Sequence, residues 1–361
     1  MKIVQLLPEL NEGGVERGTM ELSRELVKLG HESIVISAGG KLVEQIEKDG
    51  GKHILFDVCS KNPLTAPQRI WQLKKVLKSL NPDIVHARSR VPAWLTYLAN
   101  KKLNFPFVTT VHGFNSISFY SKIMTKGNRV ICVSAAIKSY IQKHYQTFEE
   151  KITVIPRGID LVKFNPENMD VVWIEDFKKK YTLNDKFIVT SVGRITQLKD
   201  LETFISAMAV LQKKRTNSIG LIVGGVREDK KDYFESLKNL VQKLHLENNI
   251  IFTGSQDKVA EIYALSDVVV SSSKKPESFG RSVAEALAMD TPVIATEHGG
   301  VLDIIKAGKN GYFYSVEDSI GLVDAIEKSN KLKFDGYAYI SKYFSLEQMV
   351  KKTLKVYRGL A

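Results

Sequence analysis

Two glutamates, Glu277 and Glu285, stand eight residues apart in the stretch KKPESFGRSVAEAL, with Ser278, Phe279 and Gly280 between them. The spacing alone says little, because a chain with this many glutamates contains such pairs by chance. The context says more. Pro276 and Gly280 bracket a strand-to-helix turn, with the helix starting near Gly280. The amides of Ser278, Phe279 and Gly280 then lack intrahelical partners and, with the helix dipole, form an anion site. Carboxylates on both sides of an anion make sense when the anion is a phosphate group carrying a sugar at each end. Glu277 would accept from the hydroxyls of one sugar and Glu285 from those of the other.

Arg194 and Lys199, in SVGRITQLKD, supply cations after a strand pattern at 187–192. Arg194 suits a bidentate grip on phosphate, Lys199 a point charge. In the first half, His112 in VTTVHGFN also follows a strand. A histidine at such a place is more often a hydrogen-bonded loop residue, but one facing a ligand orients a hydroxyl or stabilises developing charge, and that role is expected here. His86, Arg88 and His298 sit at comparable strand ends with weaker signals. Gly13 and Gly14, in PELNEGGVERG, mark a close approach of backbone to ligand at the first strand-to-helix turn. The dinucleotide fingerprint needs glycine at 15, where Val15 stands, and an acid at the end of SIVISAGG, where there is none. A nicotinamide-dependent dehydrogenase is thereby disfavoured.

The elements that must position these residues alternate in βαβ fashion. Strand patterns KIVQLL, SIVIS, KHILFDV, DIVHA, FVTTVHG and RVICVS are interleaved with helical segments near 15–29, 67–80 and 92–101. After a polar connector that runs up to Asp185 and holds a short helix, a second series follows: FIVTSVGR, GLIVGG, NIIFTG, VVVSS, PVIAT and GYFYS, with helices near 200–214, 231–245, 257–265, 280–289 and 301–306. This rhythm predicts an α/β fold of two Rossmann-like parallel-sheet domains, over 1–165 and 166–345, with a C-terminal helix over 346–361 packing back on the first. Ligands in such sheets lie beyond the carboxyl ends of the strands, and two domains facing one another would share a cleft.

Composition is that of an ordinary globular protein: 361 residues, 43% hydrophobic and 25% charged, with Cys59 and Cys132 too few for a disulfide framework. No apolar stretch reaches spanning length and none reads as a signal segment, so a cytoplasmic protein is expected, at most peripheral to the cytoplasmic face of the inner membrane. The net charge of +12 is unevenly placed: residues 1–165 hold 24 Lys and Arg against 14 Asp and Glu, while 166–361 hold 28 against 26. Charge asymmetry of this kind suits a solvated face, an anionic membrane, an acidic substrate or nucleic acid.

Together these residues resemble the retaining nucleotide-sugar glycosyltransferases of the GT-B fold, in the large family 4 that serves lipopolysaccharide, glycolipid and capsule assembly. The resemblance covers essentially the whole chain. It rests on PESFGRSVAEALAMDTPVIATEHGG, similar to the family's E-x7-E block and following Gly-rich turn, and on VGRITQLKD, VIPRGID and the N-terminal double glycine. It implies that Glu277 contacts the donor sugar and Glu285 the ribose, and that the 278–280 amides, Arg194 and Lys199 hold the diphosphate. Gly254, in FTGSQDKV, would meet the base through its backbone, and Gly14 the donor. It further implies transfer with retention from a nucleotide-diphosphate sugar to a glycan or lipid-linked acceptor, possibly phosphorylated, with no cofactor and no metal. The sequence departs from the family at Ser278 and Asp200, where glycine is frequent, at Gly225, where an acid is common, and at Asp303, where glutamate is usual. The rival readings are a nucleotide-sugar 2-epimerase of related fold and a basic nucleic-acid-binding protein. Nucleic acid is not an expected partner, because aromatics are not interleaved with the basic residues in a known motif.

Overall fold

The computed structural model describes residues 1–11 and 13–360; Glu12 of the glycine-rich turn and Ala361 at the end of the expected C-terminal segment lie outside the described residues. The chain forms two compact units. Unit 1 comprises Met1–Gly158 with the segment from Leu346 onward, and unit 2 is Ile159–Ser345.

Unit 1 is built on seven parallel strands, β1 (Lys2–Leu6), β2 (Glu32–Ser37), β3 (Lys52–Leu55), β4 (Ile84–Ala87), β5 (Phe107–Val111), β6 (Arg129–Cys132) and β7 (Ile152–Val154), in the order β3-β2-β1-β4-β5-β6-β7. Val and Ile dominate these segments because both faces are covered, and Ile3–Leu6, Ile84–Ala87 and Phe107–Val111 are buried throughout. β1 pairs with β2 on one side and with β4 on the other. The order reverses there, which opens a crevice at the carboxyl ends of β1 and β4.

The helix Leu346–Arg358 belongs to this unit. Its Met349, Val350, Leu354 and Tyr357 join Ile3, Leu22, Leu26 and Ile84 in one core. Spacing at three and four residues puts these side chains on one helix face, while Lys351, Lys352 and Lys355 point to solvent.

Unit 2 repeats the plan with six parallel strands, β8 (Phe187–Val192), β9 (Ser218–Val223), β10 (Ile250–Gly254), β11 (Val268–Ser271), β12 (Val293–Thr296) and β13 (Gly311–Tyr314), in the order β10-β9-β8-β11-β12-β13. Its reversal lies between β8 and β11. The connector expected up to Asp185 holds its expected short helix, and it packs as part of unit 2. Asp170 caps the helix Val171–Lys180 by accepting from Trp173 N–H, and Phe177 and Leu183 pack with Ile188 and Ile219 of the second sheet.

The division between units also falls earlier than the 165/166 boundary expected from sequence. Ile159 N–H donates to the Phe344 carbonyl at 2.8 Å, and Phe164 is buried with its ring 6.2 Å from that of Tyr263. Both contacts tie residues 159–165 to unit 2. Cys59 and Cys132 are free, the first exposed and the second buried. Among the described residues, no helix is long and apolar enough to cross a membrane.

The C-terminal helix fills the unit 1 core, so Leu354→Ala is expected to lower unfolding free energy by about 2–5 kcal/mol. Lys355→Ala, on the exposed face, should stay within about 0.5 kcal/mol. Urea unfolding of the two variants checks this.

Candidate functional site

In unit 2 the segments leaving β8 and β11 meet at the reversal of strand order. Lys274 N–H donates to the Leu198 carbonyl at 2.9 Å, and the Ser272 hydroxyl donates to the Lys199 carbonyl at 2.6 Å. These two bonds register the 193–200 loop against the 272–280 loop. Lys199 Nζ then lies 2.5 Å from Glu277 Oε1, which also accepts from the Ser273 hydroxyl at 2.6 Å. Burial pushes the Glu277 carboxyl up, but the Lys199 ammonium, the Ser273 hydroxyl and nearby His298 outweigh it and hold it below its ordinary range. The sequence reading set Lys199 on phosphate and Glu277 on sugar; the structure adds that they are paired with each other.

A further layer orients this pair. His298 Nε2–H and the Thr296 hydroxyl both donate to the Ser273 carbonyl, at 2.8 and 2.9 Å. Gly300 N–H donates to the Glu277 carbonyl at 2.6 Å. A Cβ on Gly300 would sit 2.5 Å from the Ser278 carbonyl oxygen and 2.6 Å from Phe279 Cα, so the turn after β12 can lie against this loop only as glycine. Ser273, Thr296 and the fit of Gly300 escaped the sequence reading, since their contacts depend on how the folded sheet arranges these loops.

The helix over Arg281–Ala288 starts as expected, with Gly280 at its N-cap in the left-handed conformation, φ 99°. The Phe279 ring is buried and packs 6.1 Å from that of Phe344, leaving only backbone for a ligand. Glu285 is buried one turn into the helix, where Oε1 accepts from Arg281 Nε at 2.7 Å and Oε2 from the Tyr263 hydroxyl at 3.2 Å. Two carboxylate oxygens carry about four acceptor sites, so these bonds fix the group without exhausting it. Arg194 is exposed after β8, and Gly254 is exposed at the end of β10 with nothing within 4 Å of where a Cβ would stand. Asp200, at a position where glycine is frequent, has φ 47°, a conformation glycine adopts freely and aspartate tolerates.

In unit 1 a cavity of about 280 Å³ opens at the carboxyl ends of β1 and β4, lined by Glu16, Arg88, Arg90, Thr110, His112 and Asn115 among others. Arg88 donates from Nη1 to Gln5 Oε1 at 3.1 Å, and burial lowers its guanidinium to about 10. His112 Nδ1 lies 3.3 Å from Arg157 Nη2. A guanidinium only donates, so Nδ1 accepts and the proton sits on Nε2, a buried atom with no partner among the described residues. Burial first, then the charges of Arg88 and Arg157, push His112 well below its ordinary range. It is a neutral imidazole with a free donor.

Arg157 of VIPRGID also covers Gly14: a Cβ there would lie 2.5 Å from Arg157 Nη1. The bare backbone at Gly14 therefore admits an arginine side chain. His86 is a core residue, 1% exposed, with its nitrogens bonded to the Tyr357 and Thr110 hydroxyls at 2.7 Å each. The structure thus groups Glu277, Lys199, Ser278, Phe279, Gly280 and Glu285 around one sheet edge of unit 2. His112 and Gly14 lie in unit 1, linked through Arg157.

Comparison with known proteins decides the family. The model for glycosyl transferases group 1 matches residues 174–343, and that for glycosyltransferase family 4 matches residues 12–163. A glycosyltransferase crystal structure from Rickettsia africae ESF-5 is 33% identical, covers 99% of this chain and 98% of that one, and superposes with a TM-score of 0.92. The chain belongs to the glycosyltransferases. N-acetyl-alpha-D-glucosaminyl L-malate synthase of Bacillus anthracis is 28% identical over 88% of this glycosyltransferase and 84% of that protein. A structure of Anabaena Alr3699/HepE in complex with UDP-glucose is similar in fold, at 20% identity and a TM-score of 0.83, over 99% of this chain and 100% of that one. Both sheets of this glycosyltransferase match the two-domain GT-B architecture.

The buried histidines predict a pH dependence of its stability. His86 and His112 have folded values below the unfolded one, so the unfolded chain binds more protons beneath about pH 6.5 and stability falls as the medium acidifies. Each contributes a slope of about 1.4 kcal/mol per pH unit until its folded value is reached. His31 and His53 act in the same direction. The Glu277 contribution is lost only lower, as pH falls through a folded value under the ordinary carboxyl range. Urea midpoints at pH 7.5 and 5.5 should differ accordingly, and His86→Gln should flatten the difference.

Proposed function

We propose that unit 2 binds a nucleotide-diphosphate sugar and that the enzyme transfers its sugar, with retention, to an acceptor held by unit 1. The observation that carries this reading is the Lys199–Glu277 pair at the strand-order reversal of the second sheet, beside the start of the Arg281–Ala288 helix. Diphosphate oxygens would take donors from Lys199, Arg194 and the 278–280 amides. Glu277 would accept from the sugar hydroxyls and Glu285 from the ribose, while the backbone near Gly254 would meet the base. The Anabaena relative's complex with UDP-glucose supports that donor class.

Cleavage of the bond between the anomeric carbon and the β-phosphate oxygen leaves the electron pair on phosphate. Lys199, Arg194 and the helix-end amides stabilise that charge as it grows. The acceptor oxygen forms its new bond to the anomeric carbon on the same face, and its proton passes to the departing phosphate. His112 serves as a neutral donor from Nε2, orienting a substrate oxygen. Its lowered basicity makes it a poor general base.

The acceptor we infer is a glycan or lipid-linked molecule with a phosphate or carboxylate, of the kind used in lipopolysaccharide, capsule or glycolipid assembly. The unit 1 cavity supports it through Arg88, Arg90 and neighbouring Arg157. The Bacillus anthracis relative is named for a product of malate, itself an anion.

Transfer assays with UDP- and GDP-sugars test the reading. Lys199→Ala and Glu277→Ala should lower kcat by about 10²–10³, whereas Glu285→Ala should weaken nucleotide binding in a thermal-shift titration. Wild-type transfer rates in the first two variants would overturn the site.

A further inference from the structure

Asp200 is a carboxylate of unit 2 to which the proposed reaction gives no role. It is 1% exposed, and neither of its carboxylate oxygens has a hydrogen-bond partner among the described residues. It stands at the N-cap of the helix Leu201–Lys214, where an aspartate ordinarily accepts from first-turn amides, yet its side chain makes no such bond. Instead it lines a cavity of about 200 Å³ together with Glu202, Thr203, Ser206, Lys274 and Glu317.

A buried carboxylate without hydrogen bonds is tolerable only beside a cation. Lys274 Nζ is that cation, 3.4 Å from Asp200 Oδ1 and 2.8 Å from Glu317 Oε1. The bond to Glu317, with the charges of Asp200 and Glu202, outweighs burial and holds the ammonium above its ordinary range, so Lys274 is charged. Two other neighbours supply no balancing charge. Glu202 is itself an acid, accepting from the Tyr233 hydroxyl at 2.7 Å, and burial, then the Asp200 charge, push the Tyr314 phenol above its ordinary range. Glu317 is exposed and solvated by water, so the member of this trio that needs the ammonium is Asp200.

The main chain at Lys274 is tied to the same loop. Lys274 N–H donates to the Leu198 carbonyl, the Ser272 hydroxyl to the Lys199 carbonyl, and the Ser273 hydroxyl to Glu277 Oε1. Asp200 directly follows Lys199. We propose that Lys274 is a positioning residue for the transfer: by neutralising Asp200 it keeps the loop that carries Lys199 seated against Glu277. Without the ammonium, the ionised carboxylate gains by turning out to water, and Lys199, one residue away, moves with it. The inference rests on the roles proposed for Lys199 and Glu277.

Lys274→Met in the whole protein tests it, alone and together with Asp200→Asn, which removes the charge and tolerates the same left-handed backbone. With the UDP- or GDP-sugar that the wild type uses, Lys274→Met should lower kcat about tenfold or more and change the donor KM less than about threefold, because a displaced Lys199 loses its grip on charge that grows in the transition state. Adding Asp200→Asn should bring kcat back to within about threefold of wild type. Crystal structures should show Lys199 and Glu277 apart in the single variant and paired again in the double. A lysine that only stabilises the fold would lower the unfolding temperature and leave kcat of the folded enzyme unchanged. That result would overturn the proposal, as would a double variant no more active than the single, an intact Lys199–Glu277 pair in the Lys274→Met crystal, or loss of the native fold by that variant at the assay temperature. Wild-type kcat in Lys199→Ala would remove the roles proposed for Lys199 and Glu277, and this inference with them. Loss of activity in Lys199→Ala but not in Lys274→Met would remove this inference alone.

Discussion

The ion pair between Lys199 and Glu277 is the constraint around which unit 2 is organised. A partly buried ammonium and carboxylate are tolerable only when each has a well-placed partner, because removing either leaves an uncompensated charge out of water. Two loops from different strands must therefore hold their register to a fraction of an ångström. The Lys274 and Ser272 bonds to the 198–199 backbone set that register, and the 296–300 turn braces the Glu277 side from behind. The pair sits where strand order reverses because only there do two strand ends leave a gap wide enough for a ligand.

Glu285 is handled differently. It lies inside the helix and is held by Arg281 one turn back along the helix and by Tyr263 from another element. A carboxylate so clamped cannot swing, so its remaining acceptor sites are held in place. Unit 1 uses neutral chemistry beside positive charge. Burial and two arginines keep His112 uncharged, and its bond from Arg157 selects the tautomer. A charged imidazole in that place would add a third cation to a desolvated cluster.

Much of this was legible in the chain. Val- and Ile-rich runs separated by amphipathic segments announce parallel sheets, and the Gly280 helix start lies one residue from its expected place. The helices Ala135–Tyr145, Ser319–Ser329 and Gly336–Phe344 gave no reading, although Ser134, Asp318 and Asp335 each cap one of them with a side-chain oxygen. Hydrophobic periodicity in short helices is weak, and capping residues are common in loops as well. The short helix in the connector before Asp185 is legible, but the burial of Phe177 and Leu183 is not, because it depends on the sheet beside them.

The sequence by itself determined the local matters: the strands other than the short edge strand Ile152–Val154, where glycine must stand, and which cations and carboxylates follow strand ends. Such features depend on neighbours a few residues away, whose dihedral preferences and spacing are written in order along the chain. Tertiary structure decided the pairings. Lys199 meets Glu277 across 78 residues, His86 meets Tyr357 across 271, and Arg157 meets His112 across 45. Whether a histidine is a buried strut or a free donor depends on groups that distant, because burial and partner charge, not residue type, set its protonation.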